Sequence, residues 1–132
     1  MGRDSAPGKQ CFVAVVDDDP SVCRGIGRLL RSAGYLPDTY ASASDFLDGE
    51  RRYDCFCLIV DVCMPGMTGL ELQQQLSREK SIIPVIVVTA RDDPQKRDIA
   101  DRAGAVAFFR KPIDGRLLLD AVARCSCSGN HG

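Results

Sequence analysis

Phe56-Cys57-Leu58-Ile59-Val60-Asp61 is five apolar residues closed by a carboxylate. A short apolar run without polar alternation suits a strand covered on both faces, as in a parallel sheet. Working outward, similar runs lie at Cys11–Val16, Val85–Val88 and Val106–Phe109. A more polar one, Tyr35–Ala41, holds Pro37 and Asp38, as expected of an edge strand. Helix-length segments separate these runs. Val22, Ile26, Leu29 and Leu30 recur at helical spacing between Pro20 and Ala33, with Gly34 placed to cap. Leu70, Leu72 and Leu76 mark a third helix, Ile99, Ala100 and Ala103 the end of a fourth, and Leu117, Leu118, Ala121 and Val122 a fifth. Ser44–Leu47 predicts only a short, weakly patterned second helix. Strict β-α alternation implies right-handed crossovers and an α/β fold: a doubly wound five-stranded parallel sheet, order 2-1-3-4-5, with helices on both faces.

At 132 residues the chain is long enough for one core. The sequence predicts a flexible segment over residues 1–10, one folded domain over 11–125 and a frayed tail over 126–132. A net charge of -1 gives no bulk electrostatic reason to expect nucleic acid or an anionic membrane as partner. With no signal-peptide pattern and no apolar run of spanning length, the cytoplasm is the expected location. The seven cysteines are an odd number, which favours free thiols. Neither Cys55-x-Cys57 nor Cys125-x-Cys127 has a nearby histidine or a common structural zinc spacing.

Polar residues fall at telling places. Asp17 and Asp18 follow the first strand, Asp61 ends the third, Thr89 ends the fourth, and Lys111 follows the fifth. In an open α/β sheet these ends share one edge, and ligands bind there where strand order reverses. Turn preference alone can place an Asp at one strand end; it does not explain the whole set. Two carboxylates about 4 Å apart repel by roughly 4 kcal/mol at an effective dielectric of 20, so three together call for a cation. Magnesium prefers hard oxygen ligands and bridges carboxylates to phosphate. A carboxylate can also be a nucleophile that forms an aspartyl phosphate. Lys111 would offset the added charge, and the Thr89 hydroxyl could donate to a phosphoryl oxygen.

In order and spacing the motifs resemble the receiver domains of two-component signalling. They are Val15-Val16-Asp17-Asp18-Asp19-Pro20, Asp61-Val62-Cys63-Met64-Pro65-Gly66-Met67-Thr68-Gly69, Val88-Thr89-Ala90, Ala103-Gly104-Ala105 and Phe109-Arg110-Lys111-Pro112. The resemblance covers Phe12 to about Arg124. It implies a flavodoxin-like receiver fold, with Asp61 as phosphoacceptor. It further implies Mg2+ (Mn2+ as a possible substitute) held by Asp17, Asp18, Asp61 and the backbone carbonyl of Cys63, with Asp18 a direct ligand and Asp17 acting mainly through water. Thr89 and Lys111 would meet the phosphoryl group. Phe108 would be the aromatic switch residue, acting with Thr89, and the Lys111-Pro112 bond would be cis. The implied partners are a sensor histidine kinase or histidine phosphotransfer protein, and a downstream protein or an effector domain on a longer chain. A homodimer through the fourth helix, fifth strand and fifth helix is also implied. Direct nucleic-acid and membrane contacts are not expected, and the only catalysis expected is the domain's own phosphoryl transfer and dephosphorylation.

Two other readings differ in chemistry. Asp17-x-Asp19-x-Ser21 resembles the nucleophile motif of haloacid-dehalogenase phosphatases, with Asp17 attacking and Asp19 as acid/base. That reading lacks the longer core and late acidic pair, and leaves Asp61 and Lys111 without roles. Asp19 can equally be a solvated loop charge or the N-cap of the Pro20 helix. A pseudo-receiver, binding a partner without phosphorylation, would bind no magnesium and take no label.

Overall fold

The computed structural model describes residues 12–49, 54–91 and 93–130, with side chains through Cys125. The expected flexible segment 1–10, Cys11 and residues 131–132 lie outside the described residues. Ten elements alternate along the chain: β1 (Phe12–Val16), α1 (Pro20–Ser32), β2 (Leu36–Tyr40), α2 (Ala43–Asp48), β3 (Cys55–Asp61), α3 (Gly69–Arg78), β4 (Val85–Thr89), α4 (Pro94–Arg102), β5 (Ala107–Arg110) and α5 (Gly115–Asn130). The strands form one sheet, order β2-β1-β3-β4-β5, and every pairing is parallel. This is the doubly wound arrangement expected from the apolar runs.

The period-2 alternation of strand side chains divides the core in two. Ala14, Val16, Leu58, Val60, Val85 and Val87 face Phe46 of α2, Leu72 and Leu76 of α3, and Ala100 of α4. Val13, Val15, Cys57, Ile59, Ile86 and Val88 face Ile26 and Leu30 of α1, and Leu118, Ala121 and Val122 of α5. Both faces of the sheet are therefore dry, which is why the central strands read as unbroken apolar runs. Fully burying each Val, Leu, Ile or Phe among them contributes about 1.5–3 kcal/mol.

Helix starts follow local chemistry. Asp19 caps α1 and Asp93 caps α4, each followed by proline at the first helical position. Thr68 and Glu71 form a reciprocal capping box on α3, with Glu71 N–H donating to Thr68 Oγ1 at 3.2 Å and Thr68 N–H to Glu71 Oε1 at 2.8 Å. Gly34 and Gly104 take positive φ after α1 and α4.

Two local departures stand out. α5 continues to Asn130, past Cys125 where the sequence pattern suggests fraying begins. At the start of β3 the register shifts, so Phe12 pairs with Cys55 but Val13 pairs with Cys57. The extra residue is a bulge, and it sends Cys55 to the α2–α4 side while Cys57 stays on the α1–α5 side.

Candidate functional site

The carboxyl ends of β1 and β3 are adjacent because the two strands pair in parallel, at the point where strand order reverses. Asp17, just past β1, and Asp61, the last residue of β3, are 3% and 5% exposed. Asp18, one residue further on, is exposed. One carboxylate oxygen from each of the three lies within 4.8 Å of the others. Lys111 arrives from the end of β5, placed by its backbone N–H donating to Thr89 O at 2.8 Å. Its Nζ donates to Asp17 Oδ2 at 2.9 Å and stands 3.6 Å from Asp61 Oδ1. The Lys111-Pro112 peptide is cis.

Asp17 is held on three sides. Its Oδ1 accepts from Asp19 N–H at 2.9 Å, its Oδ2 from Lys111, and its backbone carbonyl from the Cys23 thiol at 3.3 Å. Asp61 is held less. Its Oδ1 is buried and has no hydrogen-bond partner. Burial, then the charge of Asp17, pushes the Asp61 carboxyl up to about 6, against smaller opposing effects of Lys111 and the Cys63 N–H. Burial pulls Lys111 down, but its hydrogen bond to Asp17 and the charges of Asp17 and Asp61 outweigh that and hold the ammonium above its usual range. An orphaned oxygen inside a cluster of carboxylates is a donor set for a small, hard divalent cation. The Cys63 side chain is exposed, while its N–H bonds the Asp61 carboxylate.

Thr89 is 1% exposed. Its hydroxyl donates to Arg91 O at 2.9 Å and accepts from Arg91 N–H at 3.2 Å, so it is engaged with the loop after β4 and not with the carboxylates. Phe108 on β5 is half-buried against the α2–α4 core. The Arg97 guanidinium of α4 lies 5.0 Å from the centre of its ring. Asp19 sits outside the cluster's chemistry, since its Oδ1 accepts from the N–H of Ser21 at 2.9 Å and from its hydroxyl at 2.8 Å. Those bonds, the hydroxyl's first, hold its carboxyl below the usual range. The N-cap reading of Asp19 accounts for these contacts. The dehalogenase-like reading would need it as a proton carrier.

Several contributors escape a sequence reading. A Cβ on Gly69 would lie 2.2 Å from Asp61 O and 2.8 Å from Asp61 C, so the start of α3 presses on the backbone of Asp61. The available signal was a glycine directly after the cap Thr68, where a helix former would ordinarily stand. Gln73, 3% exposed, donates from Nε2 to Ala100 O at 3.1 Å and ties α3 to the end of α4. Cys23 and Arg97 gave no signal, because a thiol turned back onto the Asp17 carbonyl and a guanidinium laid over the Phe108 ring follow from no local pattern.

Beside the cluster, a groove of about 410 Å³ runs between α1 and β2, lined by Asp17, Asp18, Cys23, Arg24 and Tyr40 among others. Among the described residues no helix is long and apolar enough to cross a membrane.

Comparison with known proteins agrees with this geometry. Residues 13–123 match the response regulator receiver domain family. The chain is 35% identical over 122 residues to the response regulator protein TmoT of Ectopseudomonas mendocina, covering 92% of this chain and 56% of that one. It is 39% identical over 115 residues to the transcriptional regulatory protein TdiR of Thauera aromatica, covering 87% and 51%. A solved response regulator receiver protein from Burkholderia phymatum superposes with a TM-score of 0.77 at 45% identity, covering 88% and 94%. The chain spans about half the length of the curated relatives it matches. A match over nearly the whole folded region, on a sheet of the same order, leaves one assignment: the chain belongs to the response regulator receiver domain family of two-component signalling.

Proposed function

We propose that Asp61 is the phosphoacceptor and that Asp17, Asp18, Asp61 and the Cys63 carbonyl hold Mg2+, with Mn2+ as a substitute. The observation that carries this reading is Asp61 Oδ1, buried, without a hydrogen-bond partner, and 3.6 Å from Lys111 Nζ. Within the buried part of the cluster it is the oxygen without a hydrogen bond, facing the Lys111 ammonium, where a phosphoryl group could be received. Bound magnesium would neutralise the clustered carboxylates and bridge them to a phosphoryl oxygen.

The chain's own residues do the rest. Asp61 attacks the phosphorus of a phosphohistidine, and the phosphorus–nitrogen bond breaks as the acyl phosphate forms. Lys111 supplies positive charge to the phosphoryl oxygens, and Asp17 keeps its ammonium in place. Thr89 exchanges its bond to Arg91 O for one to the phosphoryl group, freeing the space into which Phe108 turns. The catalysis is positioning and charge neutralisation, limited to the domain's own phosphorylation and dephosphorylation.

The donor would be a sensor histidine kinase or a histidine phosphotransfer protein. The output would be a downstream protein or an effector domain, since the matched relative TdiR is a transcriptional regulatory protein. Exposed Ile99, Val106 and Leu117, on or beside α4, β5 and α5, support a homodimer through that face. A cytoplasmic location fits such a donor.

Incubation with acetyl phosphate and magnesium should add one phosphoryl group that is stable to acid and labile to hydroxylamine. Asp61→Asn should abolish it. Full labelling of Asp61→Asn would refute the assignment, and absence of both labelling and magnesium binding in the wild type would favour the pseudo-receiver.

A further inference from the structure

We propose that α3 is a strut that carries the state of Asp61 to α4, with Gln73 as the residue that engages α4. The inference rests on the phosphoacceptor reading of Asp61 and adds a route separate from Thr89 and Phe108. One end of the strut is the start of α3. Gly69 N–H donates to Val62 O at 3.1 Å, and a Cβ on Gly69 would lie 2.2 Å from Asp61 O. The capping box of Thr68 and Glu71 fixes that first turn. Backbone therefore lies directly against backbone, and a shift of Asp61 is passed to α3 by contact.

The other end is Gln73, one turn along the same face of α3. It is 3% exposed, and its Nε2 donates to Ala100 O at 3.1 Å. Ala100 anchors α4, since among the described residues of that helix it alone is buried. Arg97, one turn before Ala100, holds its guanidinium 5.0 Å from the centre of the Phe108 ring. The Thr89 hydroxyl bonds Arg91, ahead of α4, whereas Gln73 bonds the helix near its end.

Core stability does not call for an amide at this position. Ala100 O also accepts from Ala105 N–H at 3.0 Å, so it stays satisfied without Gln73. That carbonyl can only accept, so the amide turns its NH2 group toward it and its oxygen away. The Oε1 so displaced is buried without a hydrogen-bond partner. A half-satisfied buried amide costs free energy that an apolar side chain of similar shape would not. What the amide supplies is direction. Apolar burial is non-directional and lets two helices slide, whereas a hydrogen bond fixes their distance and register.

The test uses amide NMR spectra of the full chain and of Gln73→Met, which keeps the length and drops the amide. Before labelling, the Ala103, Gly104 and Ala105 amides should exchange about 2- to 10-fold faster in Gln73→Met, the effect of one lost hydrogen bond. Acetyl phosphate with magnesium should label both proteins to the same extent. The shift that labelling produces at Ala103–Ala105 should be largely lost in Gln73→Met. It should persist in Leu76→Val, a core change on α3 that keeps the amide, which separates coupling from stability. A second arm needs no phosphate: Gly69→Ala should move the Ala105 amide signal in the wild-type background and leave it in place beside Gln73→Met. Equal responses with and without the amide, in either arm, would overturn the strut. So would unchanged exchange in Gln73→Met, which decides the matter even if Gly69→Ala does not fold. Absence of label on both proteins would count against the reading of Asp61 instead, and the Gly69 arm and the exchange rates would still judge the strut.

Discussion

Removing the Asp61 charge should stabilise the metal-free protein. The carboxyl is raised from 3.8 to about 6, first by burial and then by Asp17, a difference of about two units. At ~1.36 kcal/mol per unit, ionised Asp61 costs the fold about 3 kcal/mol at neutral pH. The sign follows from the direction of the shift. Because the folded value lies above the unfolded one, Asp61's contribution is fully present below pH 3.8 and is lost as pH rises through about 6. Asp61→Asn keeps the shape and drops the charge, and Lys111 retains Asp17 at 2.9 Å. In EDTA at pH 7.5 the variant should gain about 3 kcal/mol in urea unfolding, or roughly 10 °C in thermal midpoint for a domain of this size. By pH 4 the two proteins should converge. A variant no more stable than wild type at pH 7.5, or a gap that stays open on acidification, would refute the electrostatic account of Asp61.

Magnesium should bind with constant affinity above pH 7 and about tenfold less tightly per unit below pH ~6, as one proton competes for Asp61; calorimetric titration across pH measures this. At 100 times its dissociation constant the ion should stabilise the wild type by about 2.7 kcal/mol, and Asp61→Asn by much less, so that excess magnesium narrows or reverses the stability order. Gly69→Ala forces a methyl to within 2.2 Å of Asp61 O and should cost about 1–3 kcal/mol in denaturant unfolding. Any folded Gly69→Ala protein should also label more slowly with acetyl phosphate, because the carbonyl that must move belongs to Asp61. Arg97→Ala removes the cation above the Phe108 ring, an exposed contact of about 0.5–1 kcal/mol. It should change the Phe108 ring signals in NMR spectra while leaving the Asp61 label intact.

Much of the fold was legible because parallel strands buried on both faces cannot alternate with polar residues. Phe56–Val60 and Val85–Val88 announced themselves for that reason, and the crossover rule left few ways to connect them. The edge where the polar residues gather followed, since Asp17, Asp61, Thr89 and Lys111 all stand at or just past strand ends. What stayed hidden depends on distances across the sequence. The hand of Lys111, closer to Asp17 than to Asp61, is a matter of under an ångström, and periodicity carries no such information. The β3 bulge and the pressure of Gly69 on Asp61 arise where one element meets another. Each needs coordinates, because local propensity at Cys55 or Gly69 is compatible with several arrangements.

Two unequal allocations at this site bear on how a small charge event could move a surface. Asp17 takes the hydrogen bond from Lys111 while Asp61 Oδ1 faces the same ammonium at 3.6 Å without one, and burial, then the charge of Asp17, raises the proton affinity of Asp61. The Thr89 hydroxyl is likewise already engaged, by Arg91. On the phosphoacceptor reading, phosphorylation offers that hydroxyl a charged acceptor. A neutral hydrogen bond contributes about 0.5–1.5 kcal/mol net and one to a charged group about 1.5–3, so the exchange favours the turned state by roughly 1–2 kcal/mol. That is about a 5- to 30-fold shift in population. A bias of that size redistributes two pre-existing conformations and does not drive one to completion. It acts strongly only if the two are nearly balanced beforehand, which makes contacts such as Arg97 over Phe108, worth a similar fraction of a kilocalorie to a kilocalorie, large enough to set where the balance rests.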